Sequence, residues 1–223
     1  MNALVIDNIE YEFPTDFKVK EWLPLTKVRN NPNMLIKLAL NVPQDKIELM
    51  PEGTKSLMHQ LLLSVMYPTY VKLNHVVNDC ELSDLSKITL GEFIDLEVMI
   101  ENLETNLPNI LNLLYDTTKS EEMNISEVYG SIQYYLNWRK SLFTNYKNLF
   151  DTPNDDEEVV EYKPNKPHYT ARVWLDIVMT LADGKFLNMD AVTDKPLIQS
   201  LNWLAWNKDK RIQEAEQLRK QLQ

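Results

Sequence analysis

Glycine is scarce: the chain of 223 residues has only four. Glycine supplies the positive φ of tight turns and the close backbone approach of phosphate-cradling loops. Its scarcity disfavours a turn-rich all-β architecture and a glycine-rich nucleotide loop. Neither G-x-S-x-G nor G-x-x-x-x-G-K-[ST] occurs, which removes the commonest sequence signs of a hydrolase or an NTPase. Cys80 is the only cysteine, so no intramolecular disulfide can form, and a lone thiol fits a reducing compartment. There is no cysteine pair and no H-E-x-x-H, and His59, His75 and His168 are far apart in sequence, so no zinc site is expected. No apolar run approaches the ~20 residues that span a bilayer. The start, Met1 to Asp7, lacks the basic region and long apolar core of a signal peptide. A soluble protein made in a cytoplasm is the expectation. Basic charge is short as well: the formal net charge is −10, a field that would repel a phosphate backbone and argues against a nucleic-acid partner.

What is present is ordinary globular material, 44% hydrophobic and 25% charged, long enough for one large or two small cores. One stretch occurs twice. Lys87-Ile88-Thr89-Leu90-Gly91-Glu92-Phe93 carries a capping box, Thr89 with Glu92, and a hydrophobic staple, Ile88 with Phe93. Shifted back by 71 positions, Val76-Val77-Asn78-Asp79 falls on Val5-Ile6-Asp7-Asn8, Ile88 on Phe17, Glu92 on Glu21 and Phe93 on Trp22. The staple survives in the first copy, but Lys18 is a poor cap where Thr89 is a good one. Farther on, Leu35-Ile36 and Leu38-Ala39 match Ile110-Leu111 and Leu113-Leu114 after a small drift. This pattern predicts an internal duplication.

Strands are expected over 3–6 and 9–13 around an Asp7-Asn8 turn, with Ile9, Tyr11 and Phe13 on a buried face, and a further strand over 69–77. Helices are expected from about Lys18, with Pro24 as a bend or end, over 33–41, over 54–66 before Pro68, near 90–103, and from Pro108 through Tyr115. The spacing of Val128, Ile132, Tyr135, Leu142, Phe143, Tyr146 and Leu149 predicts one long helix over 126–150. Residues 151–169 read as an acidic and proline-rich linker loop, solvated and mobile rather than a binding element. Helix should return over 170–183 with Gly184 at C′, and Pro196 should occupy the first turn of the last helix. The expected fold is therefore mainly α: a short N-terminal β-hairpin, a duplicated strand-turn-helix unit and a long charged final helix. Its segments are 1–68, 69–150, the linker 151–169 and 170–223.

Glu97, Glu101 and Glu104 are spaced to share one helix face. No histidine follows any of them at the interval that di-metal bundles use, so a solvated acidic face is expected. His59 reads as a structural or surface residue. Tyr134, Tyr135, Trp138, Phe143 and Tyr146 read as core and helix packing rather than a stacking platform. Trp203 and Trp206 lie where the last helix turns from apolar to charged; core packing is favoured over an interface for them. Beyond Asn207 the apolar residues Ile212, Ala215, Leu218 and Leu222 form a narrow stripe that either frays or packs on a partner.

Three stretches carry a family resemblance: Lys87 to Leu96 with Ile110 to Tyr115; Met34 to Ile47 with the 54–66 helix; and Trp174 to Lys208, including Leu181-Ala182-Asp183-Gly184 and Leu201-Asn202-Trp203-Leu204-Ala205-Trp206. Together they resemble bacteriophage tail assembly chaperones and related tail-module (baseplate hub or connector) assembly proteins. The resemblance implies a non-enzymatic, acidic, largely helical protein of the host bacterial cytoplasm, needing no cofactor or metal and binding neither nucleic acid nor membrane. It would hold an aggregation-prone, helical, tape-measure-like tail protein until the tail tube forms, by helix-in-groove contacts. It leaves open a homo-oligomer, and a structural baseplate, connector or tail subunit that forms a symmetric ring in the virion. The partner-binding residues expected on this reading are Trp203, Trp206, Ile212, Leu218 and Leu222.

Overall fold

The computed structural model describes residues 3–6, 9–69, 71–150 and 167–221. The expected Asp7-Asn8 turn, most of the expected linker loop (151–166) and Leu222 lie outside the described residues. In chain order, β1 (Ala3–Ile6) and β2 (Ile9–Glu12) lead to α1 (Val19–Val28), α2 (Pro32–Leu40), α3 (Gln44–Glu48) and α4 (Glu52–Met66). Next come β3 (Val76–Val77), β4 (Cys80–Glu81), α5 (Leu90–Ile100), α6 (Leu103–Leu114), α7 (Ile125–Asn145) and α8 (Lys147–Phe150). Last are α9 (Pro167–Leu181), α10 (Met189–Thr193) and α11 (Leu197–Gln221). The fold is mainly α, as expected.

These elements form two compact units, Met1–Leu82 with Leu103–Tyr134, and Ser83–Asn102 with Tyr135–Gln223. Both units draw on non-consecutive chain, whereas the segments read from the sequence are consecutive. A repeat boundary and a compact unit are different things.

In the first unit, β1 and β2 pair antiparallel with Val5 opposite Glu10 and Ile6 opposite Ile9. Tyr11 and Phe13 are half-buried while Glu10 and Glu12 are exposed, the alternation the sequence showed. Glu21 reaches back to the Lys18 amide (3.0 Å), but a lysine side chain cannot accept the return bond, so α1 starts on half a capping box. Pro24, expected as a bend or end, lies inside α1, and Pro108, expected to open or kink a segment, lies inside α6, which already starts at Leu103; each costs its helix one N–H donor without ending it. The core gathers Trp22, Leu35, Ile36, Leu62, Met66, Leu111 and Tyr115, all essentially inaccessible. Burying side chains of this size is worth about 1.5–3 kcal/mol each. α4 packs chiefly on α2, and its end meets α1: the Trp22 indole donates to the Met66 carbonyl (2.8 Å), and the Trp22 and Tyr67 rings meet edge to face. The expected strand over 69–77 reduces to Val76–Val77. Upstream, side groups take the chain instead: Asn74 donates to the Glu127 carbonyl (2.9 Å), and Tyr115 donates to the Asn74 carbonyl (3.0 Å). Among the described residues, alternating apolarity had no second long strand to pair with.

In the second unit, the capping box at Thr89 is complete: its hydroxyl accepts the Glu92 amide (3.2 Å), and Glu92 accepts the Thr89 amide (2.8 Å). α5 ends at Ile100, a few residues short of expectation. The single helix expected over 126–150 is two, because the ladder tightens at Tyr146, where the Leu149 amide bonds the Tyr146 carbonyl (2.8 Å). Asp183 (φ 56°), rather than Gly184, takes the first left-handed position after α9, and Gly184 (φ 69°) follows, donating back to Met179 (2.9 Å) in a Schellman turn. Pro196 sits just outside α11 and its carbonyl accepts the Ser200 amide, so it flanks the helix instead of opening it.

Candidate functional site

The duplicated sequence has a duplicated geometry. Under the same shift of 71, β3 and β4 pair with the register of β1 and β2: Val76 opposite Glu81 and Val77 opposite Cys80. In each copy the cap residue of the following helix bridges a short strap that feeds a long helix. Lys18 bridges Asn124 at the start of α7, with Val19 N to Met123 O (2.9 Å) and Ile125 N to Phe17 O (2.8 Å). Thr89 bridges Pro196 at the start of α11, with Leu90 N to Lys195 O (2.8 Å) and Leu197 N to Ile88 O (2.9 Å). The straps thus set α7 and α11 in the same relation to α1 and α5.

The long helices then differ in their second halves. From Tyr135 on, α7 lies in the core of the second unit. Tyr135 and Leu142 are buried, and Phe143 and Trp138 meet Phe93 of α5 at 6.2 and 6.0 Å between ring centres. Trp174 of α9 packs edge-on against the same Phe93 (5.3 Å). α11 buries Leu197, Ser200 and Leu201 and then emerges. Trp203 and Trp206 are 42% and 58% exposed, which corrects the expectation of core packing. Leu204 is half-buried, Ile212 and Leu218 are exposed, and every side chain over 209–221 is exposed. The helix nevertheless remains regular to Gln221.

A groove of about 360 Å³ runs along this emerging part. Leu149, Ile177, Leu204, Ile212 and Ala215 line it with apolar surface, and Lys208 and Arg211 stand in its wall. Lys208 donates to the Asn148 carbonyl. Arg211 has no carboxylate partner among the described residues. Lys210 lies over the Trp206 ring (5.4 Å) and within 3.8 Å of Glu214. Of the expected partner-binding residues, only Ile212 lines the groove. Trp203, Trp206 and Leu218 are exposed on the same helix outside it, and Leu222 lies outside the described residues.

The carboxylate series does not form a solvated face. Glu97 is fully buried and held bidentate by Arg139, with Nη2 to Oε2 at 2.6 Å and Nε to Oε1, and Tyr135 donates to Oε1 (3.2 Å). Glu104 accepts from Arg29 and Tyr67, and only Glu101 is exposed. His59 is structural, its Nε2 2.6 Å from the Arg29 carbonyl. Tyr135 is fully buried and Tyr134 39% exposed, so the aromatic series is mostly packing. Among the described residues no cluster of His, Cys, Asp or Glu could hold a metal ion, and no helix is long and apolar enough to cross a membrane.

Sequence reasoning missed Arg211 and the groove. The signal was available: α7 and α11 align at a shift of 72, one more than the strand-turn-helix copies, and this places Arg139 on Arg211. No known protein family, curated protein or solved structure matches the chain.

Proposed function

We propose that this protein is a non-enzymatic binding protein that holds a helical partner along the emerging half of α11 and its groove. Following the family resemblance, the partner is a tape-measure-like tail protein, and the chain serves as a bacteriophage tail assembly chaperone in the host bacterial cytoplasm. One observation carries the reading: a regular helix runs on past its core with Trp203, Trp206, Ile212 and Leu218 exposed along it. An isolated charged helix of this length is marginal in water, so one that persists calls for cover. Apolar anchors at helical spacing suit a helix-in-groove contact, and the net charge of −10 would keep a complex with an aggregation-prone partner soluble.

The test pairs mass spectrometry of purified phage particles with a pull-down from infected cells. A chaperone is missing from particles and captures a long helical tail protein. Presence in particles at a fixed, symmetric copy number would instead make the chain a baseplate, connector or tail subunit.

A further inference from the structure

Two long helices start on one plan. Each follows a strap bridged to the cap residue of an earlier helix, Lys18 for α7 and Thr89 for α11. In the second unit, the later half of α7 covers α5 through Arg139, Tyr135 and Phe143. α11 begins as α7 does, on a strap bridged to a cap residue, yet every side chain it presents over 209–221 is left exposed, with Leu149 and Ile177 only forming the far wall of an open groove. Residue by residue, the shift of 72 sets Arg211 where Arg139 stands, Ala215 where Phe143 stands and Leu218 where Tyr146 stands. Both arginines lie at the same step of their helices, fifteen residues after the bridged residue. Arg139 has its carboxylate, and Arg211 has none among the described residues.

We infer that the later half of α11 docks on an acidic amphipathic helix of a partner protein. That helix would present a carboxylate to Arg211 and apolar side chains to Ile212, Ala215 and Leu218, as α5 presents Glu97 and Phe93 to α7. Charge complementarity supports this occupant. Over 207–221, Lys208, Lys210, Arg211, Arg219 and Lys220 outnumber Asp209, Glu214 and Glu216, so this stretch is net positive on a chain of net charge −10. A bidentate arginine–carboxylate pair fixes geometry as well as attraction. A second copy of the chain is the poorer occupant. Its α1 carries Thr26 at the position of Glu97, and Trp22, at the position of Phe93, is already buried. The inference deepens the reading of α11 as a binding element and is independent of the phage setting.

The probe is a stapled helical peptide of residues 88–104, which contains Glu97 and Phe93, titrated against the full chain by fluorescence anisotropy. Saturable binding is expected. Arg211→Ala should weaken it at least about tenfold, as should Glu97→Gln in the peptide, with no further loss when the two are combined. Lys220→Ala, on the opposite side of the helix, should bind as the parent does. Circular dichroism of the Arg211→Ala chain should match the parent, because this side chain is exposed. The inference is overturned by lack of saturation at about 1 mM peptide, or by equal binding of parent and Arg211→Ala. Self-association lost in Arg211→Ala would assign the face to a second copy and also overturn it. So would peptide binding that tightens at least tenfold when Asp155, Asp156, Glu157 and Glu158 are changed to their amides, which would make that stretch the occupant. Peptide binding together with virion incorporation would leave this inference standing and sink the chaperone.

Discussion

The later halves of α7 and α11 start from equivalent straps and reach opposite ends. In α7 that half is a core element: Tyr135 and Leu142 are buried, and Arg139 is locked on a fully buried Glu97. In α11 the matching positions are Asn207, Glu214 and Arg211, half-buried or exposed. The same local instruction, a bridged cap followed by a long helix, therefore produces a core helix where a neighbour supplies a complementary face and a largely exposed one where none does. Helix formation is a local matter here, and covering is a tertiary one.

The sharpest way to break this comparison is to remove the equivalent arginines. Arg139→Ala strands a buried carboxylate with Tyr135 as its remaining hydrogen-bond donor, and should cost about 3–5 kcal/mol in chemical denaturation. Arg211→Ala should stay within about 0.5 kcal/mol, as exposed substitutions do. Equal losses would mean that α11 is as covered as α7. Replacing both members, Glu97→Met with Arg139→Leu, should restore most of what Arg139→Ala loses, since an apolar pair carries no desolvation penalty.

A smaller contrast lies one strap nearer. Gly130 of α7 faces the Lys72 carbonyl so closely that a Cβ would clash with backbone, well inside van der Waals contact. Gly130→Ala should cost about 1–3 kcal/mol by overpacking. Its counterpart Asn202 on α11 is exposed, and Asn202→Ala should cost at most about 0.5 kcal/mol for its hydrogen bond from Tyr146. A similar thermal shift in both variants would undo the assigned correspondence.

How much of this was legible in the sequence follows the same division. The Thr89–Glu92 box, the N-terminal hairpin and most helix bodies depend on neighbours within a few positions, and they were readable. Glu97 was misread because its partner Arg139 is 42 positions away, while its helical neighbours Phe93 and Glu101 fit a surface face equally well. Trp203 and Trp206 were misread for the converse reason: Leu201 and Leu204 beside them suggest a core, but burial depends on what lies opposite. The strand expected over 69–77 failed because alternation records a side-chain pattern and not the presence of a partner strand. The groove residues Leu149, Ile177 and Arg211 come from separate helices, and no local pattern joins them.

The two caps provide a finer contrast. Thr89→Ala removes the hydroxyl that accepts the Glu92 amide and should lower stability by about 1 kcal/mol. Lys18→Ala removes no such acceptor and should cost less. A larger loss at Lys18 would mean that the first copy depends on something other than its cap.

The candidate for that role is charge. Lys20 and Lys18 both donate to Glu122, at 2.6 and 2.9 Å, on the approach to the strap of α7. Thr89, at the position of Lys18, instead spends its hydroxyl on the cap. These two hydrogen bonds, Lys20 first, lower the Glu122 carboxyl to about 2 from an ordinary 4.5. The folded state thus holds the carboxylate more tightly than the unfolded chain does. Its contribution is complete above the unfolded value and is lost as pH falls from about 4.5 through about 2. The groups are exposed, so the effect is small and should shrink in high salt. Glu122→Gln should flatten that part of the acid-denaturation curve at low salt and change little at pH 7 beyond the loss of the pair. An acid limb with the same shape in Glu122→Gln would remove this pair from the account and leave the first strap to its backbone bridge and the hydrogen bonds from Ser126 to Asp16.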